Sequence, residues 1–93
     1  MVTFSAQKVM NGYHVTMIIN KPNYDTYKYG EAIIKYLQVD TNDFNKALKL
    51  YNGIPYFLGS TLDSVILYFI TKESANDFIN NYLEPQLIAK ELS

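Results

Sequence analysis

The pair Asn11-Gly12 separates two β-prone runs near the start of the chain and limits the fold more than any other feature. Asn-Gly in this position is the strongest short-range hairpin signal, because both central residues of a type I′ turn have positive φ. With a two-residue loop, Met10 opposes Tyr13, and the pairing continues along both strands. One face is then apolar apart from Lys8, and the other is mostly polar. The sequence therefore predicts a β-hairpin over residues 2 to 20 with one face on a core.

Two helices are predicted after this hairpin. In each helix, apolar and aromatic residues recur at helical spacing and form the side expected to face the core. In the first helix these residues are Tyr29, Ile33, Tyr36 and Leu37. In the second they are Phe44, Ala47, Leu48 and Tyr51. Asp25 is the expected N-cap of the first helix, and Gly30 is an alternative start. The segment "DTND", residues 40 to 43, is expected to cap the second helix. Asn52-Gly53 should end it, with Gly53 in the left-handed conformation.

A second hairpin and a last helix complete the predicted order. Strands at residues 56 to 58 and 65 to 71 flank a loop at residues 59 to 63. Ser74, with Asp77 three residues later, is the expected cap of the last helix. Its inner stripe is Phe78, Ile79, Tyr82 and Leu83, and Pro85 should break or kink it before an amphipathic piece with Leu87, Ile88 and Leu92.

The predicted element order is β-hairpin–α–α–β-hairpin–α. We interpret residues 1 to 93 as a small single domain of the α+β class, with a mostly antiparallel sheet and helices packed on it. The chain has no cysteine, which excludes disulfides and thiolate chemistry. Its longest apolar run, residues 65 to 70, is far shorter than the roughly 20 residues of a membrane span. We therefore expect a cytoplasmic protein with no membrane partner.

No pattern of catalytic or ligand-binding residues is present in the sequence. His14 is the only histidine, and its predicted neighbours on the polar hairpin face include no carboxylate. The segment "DTND" lacks the spacing of a calcium loop, because Phe44 and Asn45 occupy the fifth and sixth positions. The four glycines match no phosphate-binding motif. We therefore predict no catalytic, metal-binding or cofactor-binding residue and no enzyme activity.

The strand at residues 65 to 71 is apolar on both faces, since Val65, Leu67 and Phe69 alternate with Ile66, Tyr68 and Ile70. A single layer of helices covers only one face of a sheet. Either the first and last helices cover opposite faces, or the strand is simply central, or the second face meets a second copy of the chain or another protein. The sequence leaves these alternatives open.

Three tyrosines lie in the segment "NYDTYKY", which the sequence places around the first helical turn. Tyrosine is enriched at protein interfaces, because its ring provides a large contact area at low entropic cost. Tyr29 fits the inner stripe of the helix, so we expect it in the core. Tyr24 and Tyr27 are the predicted partner-binding residues.

These observations favour a small non-catalytic protein-binding module. Asn, Ile, Tyr, Lys and Phe, whose codons are rich in A and T, make up 40 of 93 residues. This composition fits an inhibitor or regulator encoded by a phage or other mobile element, such as an anti-defence protein. Its protein partner is unknown. We also expect that the chain can form a homodimer. The first alternative is a single-stranded nucleic-acid-binding protein that uses exposed tyrosines and lysines. A net charge of −1 makes nucleic acid the less favoured partner. The second alternative is a small oligomeric enzyme with sites shared between subunits.

Overall fold

A five-stranded antiparallel sheet with helices packed on it forms the fold, which confirms the predicted α+β class. A computed structural model describes residues 1–20, 24–28, 30–57 and 65–93, without the side chains of Tyr24, Tyr56 and Phe57. The strands are β1 (Val2–Val9), β2 (Gly12–Asn20), β3 (Tyr24–Tyr27), β4 (Ile54–Phe57) and β5 (Val65–Phe69). The helices are α1 (Gly30–Leu37), α2 (Thr41–Leu50), α3 (Lys72–Phe78), a π-helical stretch (Ile79–Leu83) and α4 (Glu84–Leu92). The last three are contiguous and form one long C-terminal helix.

Strand β2 is the centre of the sheet, because three other strands pair with it. The order is β1-β2-β5-β4, and β3 also pairs with β2. The edge of β2 opposite β1 is shared: Tyr13 pairs with Phe69 of β5, and Met17 pairs with Tyr27 of β3. Strand β3 was not predicted from the sequence, and the assignment of Asp25 as a helix cap is wrong. The alternative helix start at Gly30 is confirmed.

The Asn-Gly hairpin forms, but its register differs from the predicted one by two residues. Val9 opposes Gly12, so that Met10 and Asn11 are the loop residues. Among the residues of this turn only Asn11 has positive φ, at 65°, so the predicted type I′ turn is wrong. Because the shift is an even number, the same side chains still face the core. Gly12 is required by space instead, since a Cβ there would lie 2.6 Å from the carbonyl oxygen of Phe69.

The hydrophobic core lies between the sheet and the helices. Every strand residue in it belongs to one face of the sheet: Phe4, Val15, Met17, Ile19, Leu67 and Phe69. Phe78 of α3 lies at its centre, with its ring centroid 5.5 Å from that of Phe69 and 5.7 Å from that of Phe44. Gly30 lets the start of α1 approach β5, because a Cβ there would lie 2.9 Å from Leu67. The helices therefore cover the same face of the sheet.

The helix ends agree with the sequence at some positions and differ at others. Asp40 caps α2, since its Oδ1 accepts from the backbone N–H groups of Asn42 and Asp43 at 2.9 and 3.1 Å. At the other end of α2, Asn52, and not Gly53, has the left-handed φ of 63°. Thr71 caps α3, because its Oγ1 accepts from the N–H of Ser74 at 3.1 Å. The predicted cap at Ser74 is therefore wrong by three residues.

Pro85 is accommodated by a local change in helix geometry. A proline lacks the N–H of an α-helical hydrogen bond, and its ring clashes with the carbonyl group four residues earlier. Just before it, the backbone N–H of Glu84 donates to Ile79, five residues back, as in a π-helix. The chain continues as α4, in which Leu87 is buried whereas Ile88 and Leu92 are exposed.

Candidate functional site on the open face of the sheet

The two faces of the sheet differ in what covers them. The face with Leu67 and Phe69 carries the helices, including both α1 and α3, so the alternative in which these two helices cover opposite faces is wrong. We call the other side the open face. Its described side chains are Thr3, Ser5, Gln7, Val9, His14, Thr16, Ile18, Asn20, Thr26, Ile54, Ile66 and Tyr68, as the strand register assigns them. No buried core residue of the described chain comes from this set except Thr16, which is polar.

A groove of about 600 Å³ runs over part of the open face, across β1, β2 and β3. It is lined by Gln7, Lys8, Val9, His14, Thr16, Ile18, Thr26, Tyr27 and Lys28. Thr16 is only 4% exposed, and its hydroxyl donates to the carbonyl oxygen of Ser5 at 3.4 Å. Nearby, the amide nitrogen of Gln7 donates to the hydroxyl of Ser5 at 2.8 Å. The groove therefore presents hydroxyl, amide and aliphatic groups side by side.

His14 lies in the groove opposite Gln7 on one side and Tyr68 on the other. Partial burial lowers the pKa of its imidazole below the ordinary value, and the positive charge of Lys28 lowers this pKa further. A neutral imidazole both donates and accepts hydrogen bonds. His14 is therefore neutral at pH 7 and offers polar contacts without a charge.

Tyr68 connects β5 to the turn of the first hairpin. Its hydroxyl donates to the backbone carbonyl oxygen of Asn11. The ring lies over Gly12, where a Cβ would be 2.6 Å from the Cε1 of Tyr68. Tyr68 is thus held in place by the fold, and it gives the open face a fixed aromatic surface. Beside it, Ile54 is 43% exposed.

Acidic residues are concentrated away from the open face. Seven of the nine lie in helices or a helix cap: Glu31, Asp40, Asp43, Glu73, Asp77, Glu84 and Glu91. Asp25 pairs with Ile19, a core-side position of β2, and Asp63 lies outside the described residues. Among the open-face and groove residues that the structure describes, none carries a carboxylate.

The two predicted partner-binding tyrosines belong to β3 and not to a helix. Tyr24 pairs with Asn20 and Tyr27 with Met17, and these two partners occupy opposite faces of the sheet. The side chain of Tyr24 and the whole of Tyr29 lie outside the described residues. Tyr27 is 37% exposed and lines the groove. A role for either tyrosine in binding stays a prediction.

Most of the groove could not be found from the sequence, because one wall belongs to the unpredicted strand β3. Thr26 lies beside Ile18 only through this pairing. The tyrosines and threonine at residues 24, 26 and 27 were an available signal, since both residue types favour strands. The segment "NYDTYKY" was nevertheless interpreted as the start of a helix.

A second concavity, of about 220 Å³, lies between α1, α2 and the β4–β5 pair. Its walls are mainly apolar and include Phe44, Leu48 and Leu67, which are core residues. An exposed ion pair between Lys35 and Glu31, 3.1 Å apart, lies on its rim. Because its walls belong to the core, substitutions there would change folding together with any binding.

The described part of the chain contains no cluster of three or more His, Cys, Asp or Glu side chains that could hold a metal ion. Within the same residues, every helix is too short or too polar to cross a membrane. No protein-family model, curated protein or solved structure matches the chain.

Proposed function

We propose that the chain is a small non-catalytic protein-binding module that contacts its partner through the open face of the sheet. In this proposal it is a cytoplasmic inhibitor or regulator encoded by a phage or other mobile element, such as an anti-defence protein. The observation that carries the proposal is the composition of the open face. It combines a fixed tyrosine, aliphatic side chains and hydroxyl groups with no described carboxylate.

This composition is typical of the central part of a protein interface. Interface centres are depleted in charged residues and enriched in aromatic ones, because burying an unpaired charge is costly. The hydroxyl groups of Thr16 and Ser5 already have partners within the sheet, so a docking protein would desolvate few unsatisfied groups there. The helix side has most of the acidic residues and is the less favourable surface for a dry contact.

Affinity capture from the native host tests the proposal when it compares two charge-matched variants. Gln7→Glu with Thr26→Glu introduces two carboxylates on the open face, where both positions are exposed. Asn45→Glu with Asn80→Glu makes the same charge change on exposed helical positions. We expect the wild type and the helix-side variant to recover the same protein and the open-face variant to lose it. Equal recovery by both variants, or no protein above a tag-only control, would contradict the proposal.

Tyr24 and Tyr27 provide a second test once that partner is purified. If they are interface contacts, replacing both by alanine should weaken binding by about 2 kcal/mol or more, as at an interface hot spot. The thermal midpoint should change little, because exposed substitutions usually alter stability by only about 0.5 kcal/mol. Calorimetric titration and circular dichroism melting of the same double variant separate the two effects. A large fall in the melting temperature would place the tyrosines in the packing of the fold.

The groove also supports a second candidate function, binding of single-stranded nucleic acid. Lys8 and Lys28 line it without a described carboxylate, and the ammonium group of Lys8 lies 4.8 Å from the ring centroid of Tyr13. When a protein contacts phosphates, the logarithm of the binding constant falls linearly with the logarithm of the salt concentration. Fluorescence anisotropy with single-stranded DNA and RNA across a salt series is the test. Salt-dependent binding that Lys28→Gln weakens would favour this candidate over the protein-binding module.

A further inference from the structure

Strand β1 forms an edge of the sheet over its full length. Its pairing with β2 runs without a bulge from Val2 opposite Ile19 to Val9 opposite Gly12. The strand contains no proline, and Lys8 is its only charged residue. The opposite edge, β4, has only four residues and includes Pro55, which cannot donate a backbone hydrogen bond. Of these two edges, β1 is the longer and has neither a proline nor a bulge, and Lys8 is its one residue of a kind that discourages strand addition.

The hydrogen-bonding pattern shows which backbone groups of β1 point away from β2. Met1 and Asn20 exchange two bonds: the N–H of Asn20 donates to Met1 at 2.8 Å, and the Met1 amino group donates to Asn20 at 3.3 Å. Bonded pairs alternate with non-bonded pairs along an antiparallel ladder. The even-numbered residues of β1 are therefore in non-bonded pairs with β2. Their N–H and C=O groups, at residues 2, 4, 6 and 8, point outward.

We propose that β1 is a dimerisation edge, which pairs antiparallel with β1 of a second copy and joins the two sheets. This interface is formed by the backbone edge of β1, next to the open-face side chains of Thr3, Ser5 and Gln7. Dimerisation through this edge does not depend on the proposed function. A two-fold axis that passes through residue 5 places Phe4 beside Ala6 of the second copy, so that the outward backbone groups at residues 2, 4, 6 and 8 bond in pairs.

In this register, the side chains of β1 match those of β1 in a second copy in size and polarity. This match favours a second copy as the strand that pairs with β1. On the helix side, the large ring of Phe4 meets the small side chain of Ala6, and the symmetric contact repeats this fit. On the open-face side, Ser5 meets Ser5, and Thr3 meets Gln7. Moving the axis to residue 6 would place Phe4 beside Lys8, and moving it to residue 4 would oppose two Phe4 rings. The axis at residue 5 also places Val2 beside Lys8, whose aliphatic stem can lie along the valine while its ammonium group stays in solvent. Of these three registers, only the axis at residue 5 sets Phe4 beside a small apolar side chain and also pairs polar with polar on the open-face side.

Engineered cysteines test the register directly, since the chain has no cysteine of its own. In a non-bonded antiparallel pair, opposing Cα atoms are about 4.5 Å apart, which is within disulfide range. Ser5→Cys should therefore form a covalent dimer rapidly under mild oxidation. Thr3→Cys is the matched control, because two copies of residue 3 would be offset by roughly 13 Å along the strands. Equal cross-linking of the two variants would overturn the register.

Light scattering on the native chain tests the dimer itself. We expect a mass near twice 10.7 kDa in the micromolar range, which falls towards the monomer on dilution. Ala6→Pro should give a monomer, because it removes an outward N–H and leaves the bonds between β1 and β2 in place. Circular dichroism verifies that this variant is folded. A native chain that is monomeric throughout, or a folded Ala6→Pro variant that remains dimeric, would overturn the proposal.

Discussion

The covered face and the open face of the sheet are made by alternate residues of the same strands, yet their environments differ. In β5, Leu67 and Phe69 are at most 1% exposed, whereas Ile66 and Tyr68 are only partly buried. The covered face packs against Phe78 and the other helical core residues, so burial of its apolar side chains stabilises the fold of a single chain. Within β5 the open face has similar residue types, Ile66 and Tyr68, but these contribute less to the core. The apolar side chains on the open face of β5 therefore contribute less to folding than their neighbours on the covered face.

Truncating one large side chain on each face should show the largest difference. Phe78→Ala removes the ring that contacts Phe69, Phe44 and Tyr82, and should lower the free energy of unfolding by about 3–5 kcal/mol. Ile54→Ala, on the open face, should lower it by only about 0.5 kcal/mol. Urea denaturation monitored by circular dichroism measures both values. Similar losses would mean that the two faces contribute equally to stability.

Gly12 marks the place where the open face is tightly packed, so it refines the comparison. Gly12→Ala should cost about 1–3 kcal/mol of unfolding free energy, because the added methyl group overlaps Tyr68 and the carbonyl oxygen of Phe69. Asn11→Gly is the matched control, since Asn11 has the positive φ that glycine adopts easily. We expect this control to be neutral or stabilising. If it is instead the more damaging change, then turn conformation rather than packing limits this hairpin.

The smallest expected effect is the contribution of His14 to the pH dependence of stability. Its pKa in the folded state is below the ordinary value of 6.5, mainly because of burial, so the unfolded chain binds more protons between the two pKa values. Stability should therefore fall as the pH decreases through about 6.5 and level off below the folded-state pKa. The difference between the wild type and His14→Gln, from urea titrations at a series of pH values, isolates this group. A difference that is constant with pH would show that the open face does not desolvate His14.

Local patterns were sufficient to predict the order of elements apart from β3, and the buried side of the first hairpin. The register of the first hairpin was predicted two residues away from the observed one, but this shift preserved the face of every residue. Strand β3 was missed because tyrosines at 24 and 27 also fit helical spacing, and only pairing with β2 decides between the two. The role of Gly12 depends on Tyr68, which is distant in sequence. The groove on the open face combines these long-range effects, so the sequence alone could not define it.

The shared edge of β2 also affects the order in which the sheet assembles. Strands β1, β2 and β3 are consecutive along the chain, so their pairings close short loops and cost little chain entropy. The pairing of β2 with β5 joins residues 13 and 69 and encloses both α1 and α2. Contacts of such sequence separation slow folding. The β1–β2–β3 meander would therefore form before β5 docks. During that interval both edges of β2 are already partly paired, which limits mispairing of β2 with other chains.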